Sequence, residues 1–265
     1  MINRHNMQNA KVIDASALTF QSVQGYLLMA TKFLKSFSIA TGISTTLLIA
    51  SFSSHALAMS PFQANYQFTY NNKGMGSATR ALSQQGNNWT YLFTAKAGGI
   101  ASASETSKFS FANGKIGSQS FSRTSKILIH NNTMNINFNP GNKTISTKKD
   151  DKARTFAWQP GVLDELNAEL QVREDLKNGS LKSSYPLADA KEVENRRFVK
   201  QGSEKIKTSY GTFDTVKVVL EHGRPDRSTI FWLAPKLDYL PVKVSHIDGK
   251  TSYGLLLTSY SGKTN

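Results

Sequence analysis

Apolar and polar residues alternate with a period of two along most of this chain, most regularly where Phe62, Ala64, Tyr66, Phe68 and Tyr70 are separated by Gln63, Asn65, Gln67 and Thr69. That period puts one set of side chains on each face of a half-buried strand. Asn71-Asn72-Lys73-Gly74 supplies a turn, a second strand is expected over residues 76–84, and Gln85-Gly86-Asn87-Asn88 turns the chain again. Trp89, Tyr91, Phe93 and Ala95 repeat the alternation, residues 106–111 carry Phe109 and Phe111 on one side, and Asn113-Gly114 is a favoured hairpin pair. Further strands are expected over 117–129, through Met134, Ile136 and Phe138, and over 143–148.

One stretch breaks the pattern. Val162, Leu163, Leu166, Leu170 and Leu176 recur at helical spacing, which predicts a single amphipathic helix over 162–177. Its acidic residues, Asp164, Glu165, Glu169, Glu174 and Asp175, are expected to form the water-facing side, with Lys177 in the last turn and Gly179 just beyond the end. Strands then return over 197–201, 204–210, 212–221, 228–233, 240–247 and 251–260. The chain is thus expected to be mainly β, with roughly ten to twelve strands in one wide antiparallel sheet. Such a sheet is expected to curl into a barrel or half-barrel, with the helix covering or plugging it.

Ahead of the strands, residues 29–58 have the pattern of a secretory signal. Lys32 and Lys35 precede an apolar run over 37–52, and Ala56 and Ala58 supply small side chains for cleavage after Ala58. Thr41, Gly42, Ser44, Thr45 and Thr46 dilute the run below what a spanning helix needs. Residues 1–28 show no period and are expected to be an overcalled extension, with Met29 as the initiator; a long signal with an unusual leader is the alternative. The expected mature chain, 59–265, has 207 residues and forms one domain, exported to the periplasm.

Charge changes the picture next. Removing residues 1–58 takes Arg4, Lys11, Lys32, Lys35 and Asp14 from 32 basic and 18 acidic side chains, leaving 28 against 17 and a formal charge of +11. Export takes nucleic acid out of reach as a partner, so the polyanions left to a basic exterior are lipid headgroups and cell-wall polymers. There is no cysteine, so no disulfide framework and no thiol chemistry. Position 59 holds Met rather than the Cys a lipoprotein signal requires, and a soluble or peripherally attached product is expected.

The segment Ser228-Thr-Ile-Phe-Trp-Leu-Ala-Pro-Lys-Leu-Asp-Tyr-Leu-Pro-Val-Lys-Val244 resembles the closing signature of an exported bacterial family catalogued as domain of unknown function 3108. Tyr210-Gly-Thr-Phe-Asp-Thr-Val-Lys217 resembles that family's other recurrent element, and 66–76 fits its start. The resemblance implies a fold and a compartment, without a reaction. A likeness of architecture alone links the expected fold to periplasmic lipoprotein carriers, which curl a wide antiparallel sheet around a helix to shelter acyl chains. Within the signature, Phe231 and Trp232 must point to opposite faces, while Pro235 and Pro241 belong at strand ends, making 235–239 a connection.

Chemistry is scarce. His130, His222 and His246 fall on separate strands or turns without metal-ligand spacing, and no cofactor fingerprint is present. No Gly-x-Ser-x-Gly elbow appears, and Ser107-Lys108 and Ser125-Lys126 lack the Ser-x-x-Lys spacing. The expected function is a periplasmic, non-enzymatic binding or chaperone-like protein for a lipid or other hydrophobic ligand. Its candidate residues are Tyr66, Phe68, Trp89, Tyr91, Phe93, Trp158, Phe231 and Trp232, which line either a cavity or a packed core. The alternatives are an envelope protein docking on anionic lipid or wall polymer, and a hydrolase without a recognisable motif. An interior with no cavity of about 300 Å³ counts against ligand carriage.

Overall fold

The computed structural model describes residues 59–265; the expected signal (29–58) and extension (1–28) lie outside the described residues. Eight strands come first: β1 (Phe62–Tyr70), β2 (Lys73–Gln85), β3 (Asn88–Ala97), β4 (Ala101–Ala112), β5 (Lys115–Ile127), β6 (His130–Asn139), β7 (Thr144–Lys149) and β8 (Lys152–Ala157). Helix α1 (Glu165–Lys177) and the short hairpin of β9 (Tyr185–Ala188) and β10 (Val193–Arg196) follow. The chain ends in β11 (Phe198–Lys207), β12 (Thr212–Glu221), β13 (Arg227–Ala234), β14 (Leu240–Asp248) and β15 (Thr251–Gly262).

Thirteen strands form one antiparallel sheet in the order β11-β12-β13-β14-β15-β1-β2-β3-β4-β5-β6-β7-β8. Neighbours in sequence are hairpin neighbours, with two exceptions. The first strand pairs with the last, from Phe62↔Gly262 to Tyr70↔Tyr253, joining two meanders side by side. The segment between β8 and β11 crosses the inner face and carries α1 and the β9–β10 hairpin.

The sheet is open. No ladder joins β8 to β11, so the expected closure into a barrel does not occur, and the sheet is not curled strongly enough to make the expected half-barrel. The crossing segment lies between those two edges: Leu163 bridges Leu187, while Thr147 and Arg154 donate to the Ala190 carbonyl in the β9–β10 turn at 3.2 and 3.3 Å. The edges carry Lys152 and Arg154 on one side and Lys200, Lys205 and Lys207 on the other, charges that discourage pairing with another chain. Register shifts at Asn65/Tyr66, Phe68/Thr69, Lys108/Phe109 and Trp232/Leu233 add the local bend of a β-bulge.

The inward face follows the alternation in the sequence. Phe62, Ala64, Tyr66 and Phe68 on β1, Trp89 and Tyr91 on β3, and Met134, Ile136 and Phe138 on β6 are all buried. Helix α1 starts where Asp164 accepts from the Asn167 amide at 3.0 Å, and stops at Asn178, with Gly179 at φ 65° after it. Among the described residues no helix is long and apolar enough to cross a membrane.

The helix departs most from expectation on its polar side. Glu169, Glu174 and Asp175 are buried and Asp164 has no exposed surface, so the supposed wet face is an interior face. A helix lying on one side of a single sheet keeps a free face. This one is also enclosed by the β9–β10 hairpin and the β13–β14 connection, which leaves no side for water.

Strands β1, β2 and β3 approach closely at Gly76, which pairs with Phe68 and Ala97. A Cβ there would lie 1.8 Å from the Lys96 carbonyl oxygen. Gly76→Ala is expected to lower stability by about 2 kcal/mol or more, read from the urea midpoint; an unchanged midpoint would show that the strands can part at no cost.

Candidate functional site

Two buried arginines of the inward face, and a third on the helix itself, meet the carboxylates of α1. Arg80 on β2 pairs with Glu169 and donates to the Tyr91 hydroxyl at 2.9 Å, and that hydroxyl donates to Glu169 at 2.9 Å. Arg123 on β5 bonds Glu105 at 2.7 Å and also pairs with Glu165. Arg173 reaches back from α1 to Glu169 at 3.9 Å, lies over the Phe62 ring, and donates to the Asp238 carbonyl at 3.1 Å. Lys177 joins Glu174 at 2.8 Å to the Asp238 carboxylate at 2.7 Å. Asp238 belongs to the closing signature, between the 3₁₀ turn Pro235–Leu237 and β14, with φ at 56°. The signature is therefore the clamp on the C-terminal end of α1. Pairing of this kind is what makes burial of so many charges tolerable, because an isolated ion would not stay charged there.

The helix covers one end of the inward face. Gln171 accepts from the Ile116 amide and donates to the Gly114 carbonyl, tying α1 to the β4–β5 turn. Toward the opposite end, beyond Glu165 and Leu166, the helix no longer covers the sheet and a cavity of about 110 Å³ remains. Its walls include Phe68, Phe93, Leu187, Phe198, Phe231 and Tyr253, and Arg80, Glu105, Glu165 and Glu169 form its polar floor. Both halves of the sheet contribute, across the β1–β15 seam.

Of the candidate residues, Phe68, Phe93 and Phe231 line this cavity. Tyr66, Trp89 and Tyr91 are buried in the packed part of the core, with Trp89 stacked on Phe109 at 6.3 Å. Trp158 is half-buried beyond β8, outside the lining. Trp232 lies on the outer face: its indole donates to Glu204 at 2.7 Å, and Lys243 and Lys217 approach its ring at 4.2 and 5.9 Å. As the alternation requires, Phe231 points inward.

Residues that the sequence did not single out complete the lining, among them Tyr253, Arg196 and the histidines. His222 Nε2 lies 2.8 Å from Thr229 Oγ1, which lies 2.7 Å from His246 Nδ1. Sequence phase could have flagged this pair, since His222 follows Leu220 and His246 follows Val244 on the inward series; their meeting depends on the register of β12, β13 and β14. Thr229 has no exposed surface, so its hydroxyl links two imidazoles and does not present a nucleophile to the cavity. Among the described residues no group of three or more His, Cys, Asp or Glu is placed to hold a metal ion.

Burial sets the titration of these groups. It raises Asp164 to about 6, against hydrogen bonds from Ser107 and the Asn167 amide. It raises Glu165 to about 8: Arg123 opposes the rise, but it also faces Glu105, and one guanidinium cannot neutralise two carboxylates. Burial lowers His222 to about 3 and His246 to about 4, with Arg227 adding repulsion.

Two outcomes are expected. Arg80→Met strands the Glu169 charge and lowers stability by about 3 kcal/mol or more, whereas Arg80→Met with Glu169→Met recovers most of that loss, both measured by urea unfolding. A carboxyl whose pKa is raised on folding holds its proton more tightly in the native state, so it contributes stability that fades as pH climbs toward the folded value. The lowered histidines contribute in the opposite sense below 6.5. From pH 6.5 to 8 Glu165 acts without them, so stability falls over that window, and Glu165→Gln removes the fall.

Comparison with solved structures finds this fold elsewhere. A protein from Brucella abortus, described as a beta-barrel-like protein of domain of unknown function DUF1849, aligns at a TM-score of 0.53 and 12% identity, covering 78% of this chain and 99% of its own. At that identity the likeness is one of fold. A protein from Parabacteroides distasonis, described as a "putative lipoprotein", aligns at 0.30 and 10% identity over 77% and 96% of the two chains, too distant to carry an argument. No curated protein matches. The family model described as Protein of unknown function (DUF3108) matches residues 65–256, spanning the sheet, α1 and the closing clamp, and the chain belongs to that family.

Proposed function

We propose that this is an exported, non-enzymatic binding protein of the bacterial envelope that shelters the apolar end of a ligand between its bent, open sheet and the first turn of α1. The observation that carries this reading is the aromatic-walled cavity at the end of the inward face that the helix leaves bare. Its volume, about 110 Å³, lies below the roughly 300 Å³ at which whole small-molecule sites begin. Enclosure of an entire lipid is therefore not part of the reading. A cavity of this size accepts a few carbons or one small ring, as apolar cavities of about 150 Å³ accept benzene.

The ligand is accordingly an amphiphile whose short apolar terminus enters beside Phe68, Phe198 and Phe231 while the rest stays outside. The polar floor suits this role because Arg80 and Arg123 are met by Glu169 and Glu105 while Glu165 keeps its proton up to about pH 8, so the floor needs no charge from the ligand.

Native mass spectrometry of protein purified from its own periplasm and washed at high salt should find a bound amphiphile. Ala95 lines the cavity, and Ala95→Phe should lose that mass while unfolding within a few degrees of the parent. An empty parent that also fails to take up a fluorescent fatty-acid analogue would refute the carriage reading.

A further inference from the structure

Among the described residues four large apolar side chains are well exposed, and three of them, Leu128, Ile129 and Ile247, lie at the end of the sheet that holds the cavity. Ile129 is 86% exposed and Leu128 45%. Together they form the two-residue tip of the β5–β6 hairpin. Leu128 adopts φ 54°, a left-handed conformation that is costly for such a side chain. Other turns of the same sheet fill their left-handed positions with Asn71 and Asn72, Gly98 and Gly99, or Asn113 and Gly114, the residues that adopt it cheaply. Among the described residues only the tip from Leu128 to Ile129 pairs such a conformation with two exposed large apolar groups; the Leu128 amide donates to the Ile100 carbonyl at 2.7 Å, a bond any residue could make, while the two side chains stay in water.

The flanks of the tip are basic. Lys126 lies two residues before it, and the register Lys96↔Ser102↔Lys126 places a second exposed lysine two strands away, roughly 10 Å across the ladder. From Lys126 to Asn132 there is no carboxylate; in the β7–β8 turn at the same end, Asp150 accepts from the Thr133 amide, and Asp150 and Asp151 are flanked by Lys148, Lys149 and Lys152. An apolar point with ammonium groups set just behind it is complementary to an anionic bilayer, where the point enters hydrocarbon and the lysines stay at the phosphates.

We propose that the Leu128-Ile129 hairpin tip inserts into an anionic lipid bilayer and seats the cavity-bearing end of the sheet against it. Phe68, Ala95, His222, His246 and Tyr253 lie close to the turns at that same end, so docking brings the cavity to the lipid surface. This inference goes beyond ligand carriage and stands whether or not the cavity is occupied.

The test is co-sedimentation of the periplasmic protein with vesicles of phosphatidylethanolamine and phosphatidylglycerol, compared with phosphatidylcholine alone. The parent should bind the anionic vesicles, with binding weakened by salt. Leu128→Asn with Ile129→Ser should weaken it about tenfold or more, and Lys96→Gln or Lys126→Gln about fivefold each. Thermal stability should be unchanged or higher in the tip variant, because Asn accepts the left-handed backbone. Ile129→Trp should shift its emission to the blue when anionic vesicles are added. Ala95→Phe should dock normally, which separates this result from failure of ligand carriage. Equal binding by parent and tip variant, or an unshifted tryptophan, would overturn the proposal. So would a concentration-dependent dimer lost in the tip variant, which would assign the tip to a second copy of the chain.

Discussion

A carboxylate moved out of water remains charged only where a partner meets it, and that constraint governs the interior of this protein. The sheet supplies the partners from positions that its alternation would otherwise give to apolar groups: Arg80 between Ala78 and Leu82, Arg123 between Phe121 and Ser125. The helix supplies Glu165 and Glu169 at i, i+4 spacing on the side facing those arginines. Because each pair has one geometry, the network fixes where α1 sits and how it is rotated. An apolar helix in the same place could slide along its axis at little cost.

The placement of the helix in turn creates the cavity. Tied by Gln171 to the β4–β5 turn and by Lys177 and Arg173 to Asp238, α1 is held toward one end of the inward face. Its first turn stops at Asp164, short of the other end, and the side chains left there are large and aromatic but too few to fill the space. The closing signature of the family acts at a distance from the cavity, by holding the far end of the rod that bounds it.

Much of this fold was legible in the sequence, because a period of two survives wherever one face is buried and the other wet. The helix was legible too, from the spacing of Leu163, Leu166 and Leu170. Its environment was not: an acidic side reads as solvent-facing unless the partners are noticed, and the signal for them was arginine in the inward phase of β2 and β5. The strands β8, β9 and β10 are only four to six residues long and carry little alternation, so they went unseen, and with them the crossing segment that keeps the sheet open. Of the eight candidate side chains, the three that reach the cavity differ from the rest by position along the strand. Register and helix placement decide that, and neither is a local property of the chain.

The pairing of the first strand with the last carries a consequence for biogenesis. A polypeptide made from its amino end presents β1 early, with the edge that will receive β15 bare until nearly the whole chain has emerged. Contacts so remote in sequence form slowly, and an unpaired strand edge is a template for association with the wrong neighbour. The meander from β1 to β8 can assemble hairpin by hairpin as it arrives, yet its inward arginines stay unmatched until α1 follows. Synthesis from the amino end thus leaves the β1–β15 seam for last, and the open edge of β1 waits longest for its partner.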